Sequence, residues 1–399
     1  MERFKKYTSV GVQDFLPVEC FYKKRIENAI RNEFILSGYD EIETPSFEYY
    51  DVFSSGIGSY TQEKMIKFIN DKGRIMVLRP DLTVPIARMY AASFKGAKDP
   101  QRLCYIQNAF SSEEPGIGKA NEYTQAGVEL IGEPNFAGDV EVISLAIRTL
   151  KNIGLKDFKI DIGHVGFFKG IISGLNLDES DIDSIRSSID QKNMLELENI
   201  LEKLTIEKKT CEKLKKLPEL FGDKRILNIA MQMAENEEQR SSVENLIQVY
   251  EVLSSLGLEE YISIDLGMLH DIGYYSGIVF RGLTSSIGFP IISGGRYDEL
   301  LSEFGIENTA TGFAIGIKRV LIALEQQSGF TDFYDTYCII GFSDSSFKEA
   351  DAIAEELKKQ GKRIVLLANC SKEKLAEEKK GKKALKAIYI DSKGQVFDF

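Results

Sequence analysis

Residues 170–260 carry no strand signal, although the segments on both sides are rich in them. Within this stretch charged and apolar residues follow helical spacing, as in Met194-Leu195-Glu196-Leu197-Glu198-Asn199-Ile200-Leu201. A chain that breaks off a strand-rich region for a long helical one, and then returns to strands, has to build one sheet from two distant pieces. The expected organisation is a core from residues 1–169 and 261–328, with a helical insertion at 170–260. Past residue 330 the pattern changes again. Strands at 337–342, 363–368 and 386–391 alternate with helices at 345–360 and 374–380, which predicts a small α/β domain over 332–399. No internal repeat is present.

In the core, Tyr22, Ile26, Ala29, Ile30 and Phe34 recur at helical spacing and predict a helix over 19–37, stopped by Gly38. A strand at 40–44 ends at Pro45. A second at 74–78 leads through Pro80-Asp81 into a helix at 82–93. Strands at 103–110 and 123–131 flank a polar loop, 111–121, whose Pro115, Gly116 and Gly118 are turn residues. A helix at 139–152 stops at Gly154. Strands resume at 261–266, 278–283 and 289–293; Gly294-Gly295 follow, then helices at 297–304 and 317–326. The core is therefore α+β, with a mixed, largely antiparallel sheet.

Several function classes are disfavoured. No apolar run approaches the ~18 residues of a membrane span. Met1-Glu2-Arg3-Phe4-Lys5-Lys6 leads into Thr-Ser-Val-Gly rather than an apolar stretch, so no signal peptide is expected and the expected location is the cytoplasm. Cys20, Cys104, Cys211, Cys338 and Cys370 are widely spaced, odd in number and without a Cys-x-x-Cys pair, which fits unpaired thiols in a reducing compartment. Only His164 and His270 are present, far apart, so no zinc site is expected. A formal net charge of -11 weighs against nucleic acid. The lysine-rich stretch 371–386 reads as a solvated helix face. No cofactor is called for.

Four segments carry polar or glycine-rich signals. In Leu78-Arg79-Pro80-Asp81-Leu82-Thr83, Asp81 either caps the following helix or accepts a ligand ammonium. In Gln125-Ala126-Gly127-Val128-Glu129, alternation puts Gln125 and Glu129 on one strand face with space at Gly127. Such a pair is either a ligand site on a core strand or part of an exposed outer face. Asp271-Ile272-Gly273-Tyr274-Tyr275-Ser276-Gly277 and Ser293-Gly294-Gly295-Arg296-Tyr297-Asp298 contain glycines that suit either plain turns or close approach of backbone to a ligand.

Taken in order, Asp81-Leu82-Thr83, Gln125 with Glu129, Tyr274-Tyr275 and Gly294-Gly295-Arg296-Tyr297-Asp298 resemble the histidine-pocket motifs of class II histidyl-tRNA synthetases, and the resemblance covers about residues 4–324. It implies that Asp81, Gln125 and Glu129 hold the α-ammonium and nearby polar groups, with Thr83 beside them. Tyr274, Tyr275 and Tyr297 would line the imidazole end. His270, Gly294 and Gly295 complete the implied histidine-binding set. Residues 312–319 resemble the third class II motif and retain its arginine as Arg319. A class II core further implies a dimer built around Glu43-Thr44-Pro45.

Two departures bear on chemistry. Aminoacyl activation builds charge on the α-phosphate of ATP, and arginines stabilise it. Where the family has Phe-Arg-x-Glu, this chain has Phe110-Ser111-Ser112-Glu113. Where the family has an arginine four residues before the tyrosine pair, this chain has His270. Losing one such charge costs on the order of 10² to 10³ in rate, so no catalytic residues are assigned. The pattern is similar to the synthetase paralogues that serve as regulatory subunits of short-form ATP phosphoribosyltransferase. That resemblance implies a catalytic-subunit partner, histidine as feedback effector in histidine biosynthesis, and a homodimer within a larger hetero-oligomer. Phosphoribosyl transfer itself needs an acidic pair on a strand before a Gly/Thr phosphate loop; Thr309-Ala310-Thr311-Gly312 has no such pair before it. The alternatives are an active histidyl-tRNA synthetase-like enzyme and a tRNA or amino-acid sensor module.

Overall fold

The computed structural model of the protein describes residues 6–54, 64–94, 96–112, 120–269, 275–330, 333 and 337–399. The chain divides into two compact units: Met1–Asp14 with Lys23–Gln327, and Phe15–Tyr22 with Ser328–Phe399.

The chain enters through α1 (Pro17–Leu36), where Ile26, Ile30 and Phe34 are buried at helical spacing, and Gly38 at φ +86° ends the run. Then come β1 (Asp40–Glu41), β2 (Phe47–Tyr49), α2 (Asp51–Ser54), β3 (Lys67–Ile69), β4 (Ile75–Leu78) and α3 (Thr83–Ser93). The strand expected over 40–44 is thus only two residues long. The long hairpin of β5 (Gln101–Phe110) and β6 (Glu122–Ile131) follows, then α4 (Phe136–Asn152) and β7 (Lys159–His164).

The insertion consists of α5 (Val165–Ile172), α6 (Glu179–Asp190), α7 (Met194–Lys203), α8 (Lys208–Lys216), the two-residue β8 (Phe221–Gly222), α9 (Arg225–Met233) and α10 (Glu237–Ser255). Apart from β8 it is helical, as its periodicity predicts. The chain returns to the sheet with β9 (Ile262–Asp265), β10 (Ile278–Thr284) and β11 (Ile287–Arg296). It then passes through α11 (Asp298–Ser302), β12 (Ala310–Gly316) and α12 (Ile317–Ser328).

The main sheet has the order β1-β5-β6-β12-β11-β10-β7-β9-β8. Only the β1–β5 and β7–β9 pairs are parallel. The two pieces flanking the insertion interleave in it, so a largely antiparallel sheet is closed across the helical stretch. The β2-β4-β3 strands form a separate small antiparallel sheet.

One expectation needs correcting. Gly294 and Gly295 do not follow a strand; they lie inside β11. A Cβ at Gly294 would come within 2.4 Å of Gly312 O and 2.6 Å of Phe280, and one at Gly295 within 2.6 Å of Ile278 O and 2.8 Å of the Tyr275 ring. Crowding, rather than a turn, requires glycine there.

Register sets the two faces of the sheet. Gly312 pairs with Glu129, Ala314 with Gly127 and Gly316 with Gln125. Alternation then turns Gln125, Gly127 and Glu129 to the α3 side, where Leu82, Val84, Tyr90, Tyr105 and Tyr275 form an apolar cluster. The other face carries Val128, Phe313 and Ile315. Phe313 makes edge contacts with Phe34 and Phe280 there, and α4 packs against β12, β11 and β6.

The second unit contains β13 (Tyr337–Phe342), α13 (Phe347–Lys359), β14 (Arg363–Ala368), α14 (Lys372–Gly381), β15 (Lys386–Ile390) and β16 (Val396–Asp398). Its sheet order is β14-β13-β15-β16, with the first three strands parallel. Alternate residues of β13 enter opposite cores: Ile340 and Phe342 join Ala350 and Ala354 of α13, while Ile339 joins Leu375 of α14. Among the described residues no helix is long and apolar enough to cross a membrane.

Candidate functional site

On the α3 side of the main sheet lies a cavity of about 300 Å³. Its floor is β12, where Gly312, Ala314 and Gly316 present almost no side chain. Asp81 and Thr83, from the start of α3, form one wall with Gln125 and Glu129 of β6; Tyr123, Tyr275, Gly294 and Tyr297 also line it. Asp81, Thr83, Gln125, Glu129, Tyr275, Gly294 and Tyr297, all expected from the sequence, therefore meet in one place. Gly295 does not line the cavity; it makes room for the Tyr275 ring. His270 and Tyr274, with the rest of 270–274, lie outside the described residues, as do Glu113, Pro115, Gly116 and Gly118 of the 111–121 loop.

Glu129 is only 1% exposed, which removes the outer-face reading of its strand. Its Oε1 accepts a hydrogen bond from Thr83 Oγ1 at 2.9 Å, and its Oε2 accepts from the Tyr297 hydroxyl. Burial pushes the carboxyl up to about 8; the nearby Asp81 charge adds to this, while the Tyr297 and Thr83 bonds oppose it. Of the two sequence readings of Asp81, the structure bears on the one at the helix start. Its Oδ1 accepts from Val84 N at 3.0 Å and so satisfies a first-turn N–H of α3, while its Oδ2 is buried with no hydrogen-bond partner among the described residues. Burial pushes this carboxyl up to about 6, against the Val84 bond. Gln125 Oε1 is likewise buried and has no partner among the described residues. Two acceptors with no donor, beside a third that receives only neutral hydroxyls, call for a ligand rich in N–H groups.

The cavity also reaches Ser111, Lys318 and Arg319. Lys318 Nζ donates to Gln13 Oε1 at 2.7 Å, and Arg319 Nη1 to Pro290 O at 2.7 Å. Ser111, where the synthetase pattern has an arginine, brings a hydroxyl and no positive charge to this part of the wall.

Two ionic clamps hold the site from outside. Arg296, one residue before Tyr297, is buried on the other face and grips Asp139 of α4 through Nε at 3.1 Å and Nη2 at 3.0 Å. The same guanidinium donates to Glu133 O and Asn135 O. On the insertion side, Arg281 pairs with the fully buried Asp265 at 3.2 Å. Asp265 Oδ1 accepts from Gly267 N, and Asp190, at the end of α6, accepts from Leu269 N, both at 3.0 Å. These bonds fix the backbone of 267–269. His164 is a structural cap: its Nδ1 accepts from Gly166 N, and burial pushes its pKa down to about 4. Among the described residues no group of three or more His, Cys, Asp or Glu side chains is placed to hold a metal ion.

Ser293, Tyr123, Ala314 and Gly316 join the cavity without having been expected there. The period-two run Gly312, Ala314, Gly316 would have revealed the floor had 310–316 been read as a strand.

A family model for histidyl-tRNA synthetase matches residues 11–320. The ATP phosphoribosyltransferase regulatory subunit of Ruminiclostridium cellulolyticum is 44% identical over 91% of this chain and 87% of its own. That of Clostridium kluyveri is 40% identical over 98% of this chain and 100% of its own. The crystal structure of an ATP phosphoribosyltransferase regulatory subunit/histidyl-tRNA synthetase from Bacillus halodurans superposes with a TM-score of 0.83 at 33% identity, covering 97% of both chains. A histidyl-tRNA synthetase from a Nostoc species shares the fold, with a TM-score of 0.82 at 20% identity over 100% of this chain and 97% of its own. The chain belongs to the histidyl-tRNA synthetase family and, within it, to the regulatory subunits of ATP phosphoribosyltransferase, the HisZ family.

Proposed function

We propose that the protein is the non-catalytic regulatory subunit of a short-form ATP phosphoribosyltransferase, that it activates the catalytic subunit, and that it mediates feedback by histidine on the first step of histidine biosynthesis. Its own histidine site would be the cavity over β12. The carrying observation is the pair of buried acceptors, Asp81 Oδ2 and Gln125 Oε1, that have no partner among the described residues and lie in the same cavity wall as Glu129. An α-ammonium supplies the three N–H donors this corner lacks, and the aromatic wall suits an imidazole. Tyr274, His270, Gly294 and Gly295 belong to the same proposed set.

Synthetase chemistry is proposed to be lost. Ser111 supplies no charge for an α-phosphate, and position 270 carries histidine instead of arginine. The retained Arg319 favours the second reading, an active synthetase, and histidine-dependent exchange of pyrophosphate into ATP would establish it. The partners proposed are the short catalytic subunit and a second copy of this chain.

Transferase activity of the purified catalytic subunit, with and without this protein and across a histidine titration, tests the main reading. Activation that histidine reverses is expected. Full activity of the catalytic subunit alone, with no response to this protein, would overturn it.

A further inference from the structure

The carboxylates of Asp81 and Glu129 line one small buried space, and among the described residues no positive side chain pairs with them. Asp81 is 6% exposed and Glu129 1%. The described groups that donate to them are neutral: the Val84 N–H to Asp81, and the Thr83 and Tyr297 hydroxyls to Glu129. Tyr105 from β5 and Tyr275 face them as well, both with hydroxyls held well above their usual pKa by burial.

The nearby cations among the described residues bond other groups. Arg79 bonds the carbonyls of Pro45 and Asn108 at 3.0 and 2.7 Å. Arg296 is bound to Asp139 on the opposite sheet face. Lys318 and Arg319 line the cavity but bond Gln13 and Pro290. Among the described residues no lysine, arginine or histidine forms an ion pair with either carboxylate. Two carboxylates buried together, with no cation paired to them among the described residues, do not both ionise at neutral pH; they titrate as a pair.

We infer that the empty pocket holds one proton between Asp81 and Glu129, and that an ammonium-bearing ligand enters by exchange with it. The inference rests on the reading of the cavity as an amino-acid pocket and deepens it. One carboxyl O–H breaks, its proton passes to solvent, and the resulting carboxylate pairs with the R–NH₃⁺ of the ligand. Charge balances, because a cation enters and a proton leaves. The site therefore selects amines that are cationic at neutral pH. Its affinity for them rises with pH until the pair is ionised, by up to about tenfold per pH unit. An analogue without the amine, such as imidazole propionate, gains nothing from the exchange.

The test is calorimetric titration of the full chain with L-histidine at pH 7, in buffers of different ionisation heat, alongside infrared difference spectra of the carboxyl region. Release of close to one proton per histidine is expected. The spectra should show a protonated-carboxyl band that disappears on binding and is missing from ligand-free Glu129→Gln. Histidine binding with no buffer dependence and no such band would overturn the inference while leaving the pocket reading intact. Absence of binding in every buffer would overturn the pocket reading, and the inference with it.

Discussion

Gly312 and Glu129 face each other across the β12–β6 ladder, and a methyl group on the glycine would sit 2.1 Å from Glu129 Oε2 and 2.4 Å from Val128 O. The buried carboxylate lies flat over the neighbouring strand because that strand has no side chain there. Gly312→Ala should displace Glu129 from Thr83 and Tyr297, abolish histidine binding by calorimetry and cost about 1–3 kcal/mol in urea unfolding. Unchanged affinity would show that the Glu129 position is not critical.

Glu129→Gln keeps the shape and removes the charge. Histidine affinity at pH 7.5 should fall by about 10- to 100-fold, the scale of one lost charge-assisted contact. The ligand-free variant should be at least as stable as the parent at pH 8, since it has no carboxylate to ionise in a buried site. A parent that melts higher at that pH would contradict this.

The ligand-free protein should lose stability as pH rises from about 5 to 8. Burial raises the Asp81 and Glu129 carboxyls above their unfolded values. The folded chain then holds more protons than the unfolded one between the ordinary carboxylate range and about 8. Stability from these groups is present at the low end of that window and is lost through it, with a slope of up to about 1.4 kcal/mol per pH unit for each proton of difference. Scanning calorimetry at several pH values should show the decline, and saturating histidine should flatten it.

Much of this was legible in the sequence, for reasons that differ by element. The α1 helix and the β5–β6 hairpin are long enough for periodicity to speak clearly, and the insertion is visible because strand patterns stop. Asp81, Gln125 and Glu129 were readable because polar residues on core elements need a reason. The β12 strand was not legible: Ala310–Gly316 contains two glycines and two alanines, so it lacks the bulky alternation that marks a strand. The same smallness makes it the cavity floor. Gly294-Gly295 misled in the other direction, since a glycine pair signals a turn locally while the constraint here comes from Gly312, Ile278 and Tyr275. Strands of three residues, such as β2 and β3, stabilise through their partners and carry little pattern of their own.

The Arg296–Asp139 pair should behave as a buried clamp. Arg296→Ala leaves Asp139, 2% exposed, without its partner. A loss of about 3–5 kcal/mol is expected in denaturant unfolding, with a milder effect for Asp139→Asn, which retains hydrogen bonds to the guanidinium. A change below 1 kcal/mol for Arg296→Ala, on the scale of exposed ion pairs, would show that solvent or a neighbour compensates.

A floor of Gly312, Ala314 and Gly316 has a further consequence for how this pocket can diversify. Backbone alone sets its depth, so there is almost nothing left to trim: substitutions along β12 can fill the space but barely deepen it. A descendant that accommodates a bulkier effector has to give up a tyrosine from the rim instead, whereas one that stops responding to any effector is a single methyl group away.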